Sequence, residues 1–228
     1  MRVHGAAQDR EAMLSAKVFA PFSDLAAALL PASLTTDGAH DTGHLARVWR
    51  NARAIQVKEG GDLEILAAAV LLHDCVTVPK DSPLRSQASR LAATEATSQL
   101  RNLGWSDKRI AWVASAIESH SYSAGIAPTT LEACIMQDAD RLDAIGFTGI
   151  ARCFYTAGLM GSSLYEASDP RARHRTVDDA AFALDHFSAK LLRLADGFKT
   201  ATGQVLAARR HEVVRYFYDG MLGEVDNP

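Results

Sequence analysis

Residues 63–74 read LEILAAAVLLHD. From Ile65 to Leu72 every residue is apolar, and Gly60-Gly61 punctuates the chain just before the run. The alanines favour helix, and a helix apolar on all sides has to be buried on all sides. The stretch therefore predicts a central buried helix over about 62–75, with the rest of the chain built around it. Its eight apolar residues fall far short of the ~20 that cross a bilayer. The run leads straight into His73 and Asp74. Burying an ionised carboxylate without a partner costs several kcal/mol, so Asp74 needs a cation, a proton or water. Taken alone, the dipeptide reads as a frayed helix end meeting solvent.

The rest of the chain has the same helical texture. Strict alternation never lasts long enough to suggest a strand, which makes the fold class all-α. Helices are expected at about 10–30, 43–59, 62–75, 84–103, 106–121, 129–140, 143–159, 178–194 and 200–221. Their stops are Pro31, Gly60-Gly61, Pro79 with Pro83, Gly104, Gly125 with Pro128, and Gly161. The 228 residues, 48% hydrophobic and 22% charged, suit one soluble domain with a full core and exclude disorder. We read residues 1–228 as a single domain, with a core over about 36–160 and a C-terminal helical extension over about 161–228. Gly161 to Thr176, holding Arg171, Arg173 and Arg175, reads as a solvated surface loop, with a lid as the minority reading.

Lys and Arg total 24 against 27 Asp and Glu, for a net charge of −3. That balance argues against nucleic-acid polymers and acidic membrane surfaces as partners. Cys75, Cys134 and Cys153 form no CxxC pair, so a disulfide framework is not expected and a reducing cytoplasm fits. The N-terminal MRVHGAAQDREAM lacks the apolar core of a signal peptide.

Two further segments change the reading of His73-Asp74. From residue 43, His44, Val48, Ala52 and Ile55 share one helix face, so His44 heads a core-facing stripe. In MQDADRLDAIG, residues 136–146, Asp140 falls in register with Met136, Ala144 and Phe147, while Asp138 points roughly opposite and Asp143 lies beside it. Two imidazoles and two carboxylates from three helices would make a mixed nitrogen–oxygen set for a divalent transition metal. Open coordination positions suit Mn²⁺, Fe²⁺, Co²⁺ or Ni²⁺; Mg²⁺ is less natural with two imidazoles.

The order His44, His73-Asp74, Asp140 resembles the H…HD…D signature of the HD-domain superfamily of metal-dependent phosphohydrolases. The strings HDTGHLARVWRNA, LLHDCVTVPKDSPLRS, AIESHSYS, MQDADRLDAIGFTGIARCF and HFSAKLLRL resemble its stand-alone bacterial YedJ/YpgQ-like branch, over roughly residues 40–194. The resemblance implies an HD-domain helical bundle and a divalent metal, manganese first, on His44, His73, Asp74 and Asp140. It also implies hydrolysis of nucleotides, with triphosphate cleaved to monophosphate and diphosphate as the leading candidate. Cys75, Val76 and Thr77 stand where alarmone hydrolases carry a Glu-Asp pair, and a Gly-Tyr-Pro element is missing, so alarmones and cyclic dinucleotides are disfavoured. P-loop and GxGxxG motifs are also missing.

In such a site Asp74 is expected to touch the metal and to orient or deprotonate the attacking water. Arg47, Lys80, Arg85 and Arg141 are candidate phosphate-facing cations, each of them also readable as a solvated charge. His120 either meets the C-terminal dipole of its helix, or touches substrate or a second metal. In ALDHFSAKLLRL, His186 and Lys190 are expected to share a helix face towards substrate, with Leu184, Phe187, Leu191 and Leu194 as the apolar stripe. Asp41 reads as an N-cap, and Trp49, Trp105 and Trp112 as core. The alternative to an enzyme is a metal-bearing module that binds a nucleotide without turnover. A homodimer is the base-rate expectation.

Overall fold

The computed structural model describes residues 16–33, 42–78, 82–121 and 124–226. Its helices are α1 (Ser23–Ser33), α2 (Thr42–Glu59), α3 (Leu63–Leu72), α4 (Ala88–Asn102), α5 (Asp107–His120), α6 (Leu131–Asp143), α7 (Gly146–Met160), α8 (Asp185–Ala189) and α9 (Ala201–Asp226). Among the described residues there is no strand, only an isolated bridge between Ser163 and Phe182. No helix among them is long and apolar enough to cross a membrane. The chain divides into two compact units, Met1–Asp140 and Arg141–Pro228.

In the first unit α3 is the hub. Gly60 and Gly61 sit at φ +86° and +96°, a left-handed pair that ends α2 and turns the chain into α3. Asp62 caps α3, accepting from the N–H groups of Glu64 and Ile65 at 2.9 and 3.1 Å. Its own N–H donates to the Glu132 carboxylate at the start of α6, at 2.9 Å. Every residue from Ile65 to Leu72 is buried, and α1, α2, α4 and α5 pack around the helix. Each of its buried Leu, Ile and Val side chains contributes about 1.5–3 kcal/mol before chain entropy is subtracted, so this core stands without help from a ligand.

The second unit pairs α7 with α9. Its polar loop is tied down by the Arg175 guanidinium, which grips the buried Asp185 carboxylate with two hydrogen bonds of 2.5 and 2.7 Å.

Four expectations need correction. Over 10–30 the described part is not one helix: a turn over Val18–Pro21 interrupts it before α1 starts at Ser23, because proline has no N–H to donate and its ring clashes with the preceding turn. Over 178–194 only the five residues of α8 are α-helical, followed by a 3₁₀ turn, Leu191–Arg193. Lys190 breaks the helix at φ −139°, ψ −59°, although Leu184, Phe187, Leu191 and Leu194 are all buried as the stripe requires. Phe147 is 79% exposed, because α6 ends at Asp143 and Gly146, at φ +75°, restarts the chain in a new direction. Trp49 is buried, but Trp112 is exposed under the Lys108 ammonium and Trp105 only half-buried under Arg109. The Asp41 N-cap lies outside the described residues.

Candidate metal centre

His44 sits in the first turn of α2, His73 caps the C-terminus of α3, Asp74 follows, His120 ends α5, and Asp140 lies in the last turn of α6. All five belong to the first unit. His44, His73 and His120 are buried, while the side chains of Asp74 and Asp140 keep 38% and 26% exposure. The imidazoles therefore form the floor and the carboxylates face the mouth.

The nitrogens and oxygens converge. His44 Nε2 lies 3.1 Å from His73 Nε2, 3.5 Å from Asp140 Oδ1 and 4.0 Å from Asp74 Oδ2. His73 Nε2 is 3.4 Å from Asp74 Oδ2 and 3.8 Å from Asp140 Oδ1. On the other flank His120 Nε2 stands 3.7 Å from Asp74 Oδ1, its ring edge-on to that of His73. Among the described residues, two trios are compact enough to hold an ion: His44, His73 and Asp140, and His73, Asp74 and His120.

Local structure aims these rings. His73 Nδ1 donates to the Val70 carbonyl at 2.9 Å, and His120 Nδ1 to the Ile117 carbonyl at 2.6 Å. In both cases the bond runs back one turn at a helix end and leaves Nε2 directed into the site, as the far-nitrogen hydrogen bond of a metal-ligating histidine does. Two buried amides brace the neighbouring helices. Asn51 donates to the Ala139 carbonyl at 3.0 Å, fixing α2 to α6 beside Asp140. Gln137 donates to the Ser119 carbonyl at 2.6 Å, fixing α6 to α5 beside His120. Neither brace emerged from sequence, though Asn51 stands seven residues after His44 on the same face, the one available signal.

The electrostatics favour positive charge. Burial alone would lower the pKa of His73, but the carboxylates of Asp74 and Asp140 outweigh it and push it up to about 9. Burial would likewise raise Asp74, yet His73 first, then His120 and His44, hold its carboxyl well below the usual range. His120 is lowered by burial and by the neighbouring His73. Beside the site the Cys75 thiol is pushed up to about 12 by burial and by Glu95, which keeps it a protonated donor to the Ala92 carbonyl.

The candidate cations fare differently. Arg47 is half-buried, three residues after His44 in α2. Arg85 is exposed and donates to the Val78 carbonyl at 2.8 Å, bracing the chain that leaves Asp74. Lys80 lies outside the described residues. The buried guanidinium of Arg141 donates to the carbonyls of Leu194, Asp196 and Gly197 at 2.8, 2.5 and 3.1 Å and stacks over Phe198. In the second unit His186 pairs with Asp179 at 2.9 Å and Lys190 is exposed. The break at Lys190 removes the continuous helix face on which the two were expected to lie together. Of the other aspartates in the 136–146 segment, Asp138 is fully buried and Asp143 is buried against Arg152 at 3.1 Å.

Comparison with known proteins gives a consistent set of relatives. Residues 42–145 match the HD domain family. YpgQ of Bacillus subtilis is 36% identical over 191 residues, 81% of this chain and 85% of the relative. The crystal structure of B. subtilis YpgQ in complex with ADP superposes with a TM-score of 0.63, covering 83% of this chain and 91% of that one. An HD-superfamily hydrolase from Bacillus thuringiensis, 25% identical, gives 0.65 over 96% of this chain and all of that one.

Proposed function

The chain belongs to the HD-domain family of metal-dependent phosphohydrolases, and on that premise we propose that it hydrolyses nucleotides, with triphosphate cleaved to monophosphate and diphosphate as the leading reaction. One observation carries the proposal: His44, His73, Asp74 and Asp140, drawn from three places in the chain, meet around one point. Two imidazole nitrogens 3.1 Å apart, with a carboxylate oxygen 3.4–3.8 Å from each, suit a divalent cation between them. These four are the proposed ligands, for Mn²⁺ first and Fe²⁺, Co²⁺, Ni²⁺ or Mg²⁺ after it. When bound, the ion supplies Lewis-acid polarisation of a phosphoryl oxygen and of water.

The chain's own side chains supply the rest. Asp74 turns one oxygen to the imidazoles and keeps the other for His120, and its partial exposure lets it orient the attacking water and accept its proton. Arg47, Arg85 and Lys80, around the first ligand helix and the loop after Asp74, are the proposed contacts to phosphate oxygens, with His120 beside them. For His186 and Lys190 the support is the family string alone. The ADP bound to YpgQ supports a nucleotide as the ligand here. Cytoplasmic residence and a homodimer belong to the same reading.

The test is metal analysis of untagged protein, followed by phosphate release from a nucleotide panel with and without added pyrophosphatase. Phosphate that appears only with pyrophosphatase supports cleavage to diphosphate. Stoichiometric metal and tight nucleotide binding without turnover would point to a regulatory module instead.

A further inference from the structure

His73 and His120 are aimed by bonds inside their own helices, but the approach of His44 to Asp140 joins two helices, α2 and α6. Its 3.5 Å separation therefore depends on how those helices cross, and a crossing fixed at one point can pivot. Charge favours the pivot. Asp140 and Asp74 are like charges beside the same imidazoles, and they repel until a cation lies between them. Asn51 supplies a second fixed point. It stands seven residues after His44, two turns or roughly 10 Å along α2, buried and on the same face. Its Nδ2 donates at 3.0 Å to the carbonyl of Ala139, the residue before Asp140. A carbonyl carries two lone pairs, so this bond does not compete with the helical ladder of α6. His44, Asn51, Ala139 and Asp140 all lie in the first unit.

We infer that Asn51 is a positioning residue of the metal centre: its bond to Ala139 holds Asp140 against His44 before any ion arrives, and so sets how tightly the ion is held. The inference rests on the metal reading of the preceding subsection. Asn51 acts here through Asp140. Without the bond the ligands stand ready for only a fraction of the time, and the apparent affinity falls by that fraction. An ion that does bind closes the same site. The signature is therefore a weaker metal affinity with kcat and KM intact at saturating metal. A residue that served the core alone would lower stability and leave the affinity of the folded protein unchanged.

Chelator-stripped full-length protein is titrated with Mn²⁺ by calorimetry, as wild type, Asn51→Leu, Asn51→Ala and Ile55→Val, with the folding of each checked by circular dichroism. Asn51→Leu nearly keeps the volume and removes the donor. Ile55→Val opens a small cavity on the same buried face of α2 and leaves the bond in place. Mn²⁺ affinity should fall about 10- to 100-fold in both Asn51 variants and stay near wild type in Ile55→Val. Triphosphate hydrolysis at saturating Mn²⁺ should then run at the wild-type kcat and KM in all of them. Unchanged affinity in Asn51→Leu, or an equal loss in Ile55→Val, would overturn the assignment. So would a kcat deficit that saturating Mn²⁺ does not repair. Asn51 variants that fail to fold without metal would overturn it too, by making Asn51 part of the core. No Mn²⁺ on the wild type would instead overturn the metal reading itself. Mn²⁺ bound without any hydrolysis would overturn the proposed reaction and leave the affinities to decide the role of Asn51.

Discussion

Asp140 and Asp143 are three residues apart on α6, yet their surroundings assign them different work. Asp140 faces His44 and His73 and keeps 26% exposure, whereas Asp143 is buried in an ion pair with Arg152. Asp140→Asn keeps the shape and removes the charge, so it should weaken metal binding by at least the 10- to 100-fold range seen for disturbed metal surroundings, and activity with it. Asp143→Asn should instead lower stability by about 1–3 kcal/mol, the range for a weakened charged hydrogen bond, and leave the metal in place. Metal content and thermal midpoints of the two variants check this; the reverse pattern would relocate the site. By the same logic His73→Ala should lose metal and turnover while far-UV helix content stays nearly constant, because the α3 core beneath it is apolar. A variant that kept a full equivalent of metal would remove His73 from the ligand set.

At the scale of single elements, Arg141 stands next to a proposed metal ligand while its guanidinium is held by backbone carbonyls. Its three carbonyl acceptors, spread over 194–197, cannot be seen from the string ADRLD, which offers only a cation next to a ligand. Arg141→Ala should therefore destabilise the chain by about 1–3 kcal/mol, chiefly for the buried Leu194 carbonyl left without a donor, and should leave the KM for substrate near its wild-type value. A raised KM with unchanged stability would return Arg141 to the substrate. The legible elements are those in which one periodicity dominates. The apolar run of α3 admits only a buried helix, and the His44 stripe of α2 admits only one inward face. Illegible elements are those decided by contacts distant in sequence. Lys190 has no breaker beside it, yet the chain leaves the helix there, and the string alone gives no reason for it. His120 was placed near the site by the family string, but its position across Asp74 from His44 depends on the packing of α5 against α3 and on the Gln137 brace.

At the scale of the whole molecule, the pair of opposed shifts at His73 and Asp74 makes stability depend on pH in a way that metal should reverse. Without metal, folding raises the pKa of His73 from its ordinary 6.5 to about 9. A group raised on folding contributes stability that is fully present below its unfolded pKa and is lost as pH climbs through the folded one. The metal-free protein should accordingly lose stability between about pH 6.5 and 9, by at most roughly 3 kcal/mol at 1.36 kcal/mol per pKa unit. The lowered Asp74 belongs to the same His–carboxylate attraction and is not a separate gain. Its contribution disappears at the other end, as pH falls below the ordinary carboxylate range. A bound dication takes over the partner role of the His73 proton, and its own affinity rises as that proton becomes easier to displace. Thermal midpoints measured from pH 6 to 9.5 should therefore fall for chelator-treated protein and stay level or rise with saturating Mn²⁺. The two curves should cross or diverge most at the alkaline end. Parallel curves would mean that the proton on His73 and the metal do not compete for the same place, and that the convergence of His44, His73, Asp74 and Asp140 serves something other than a cation.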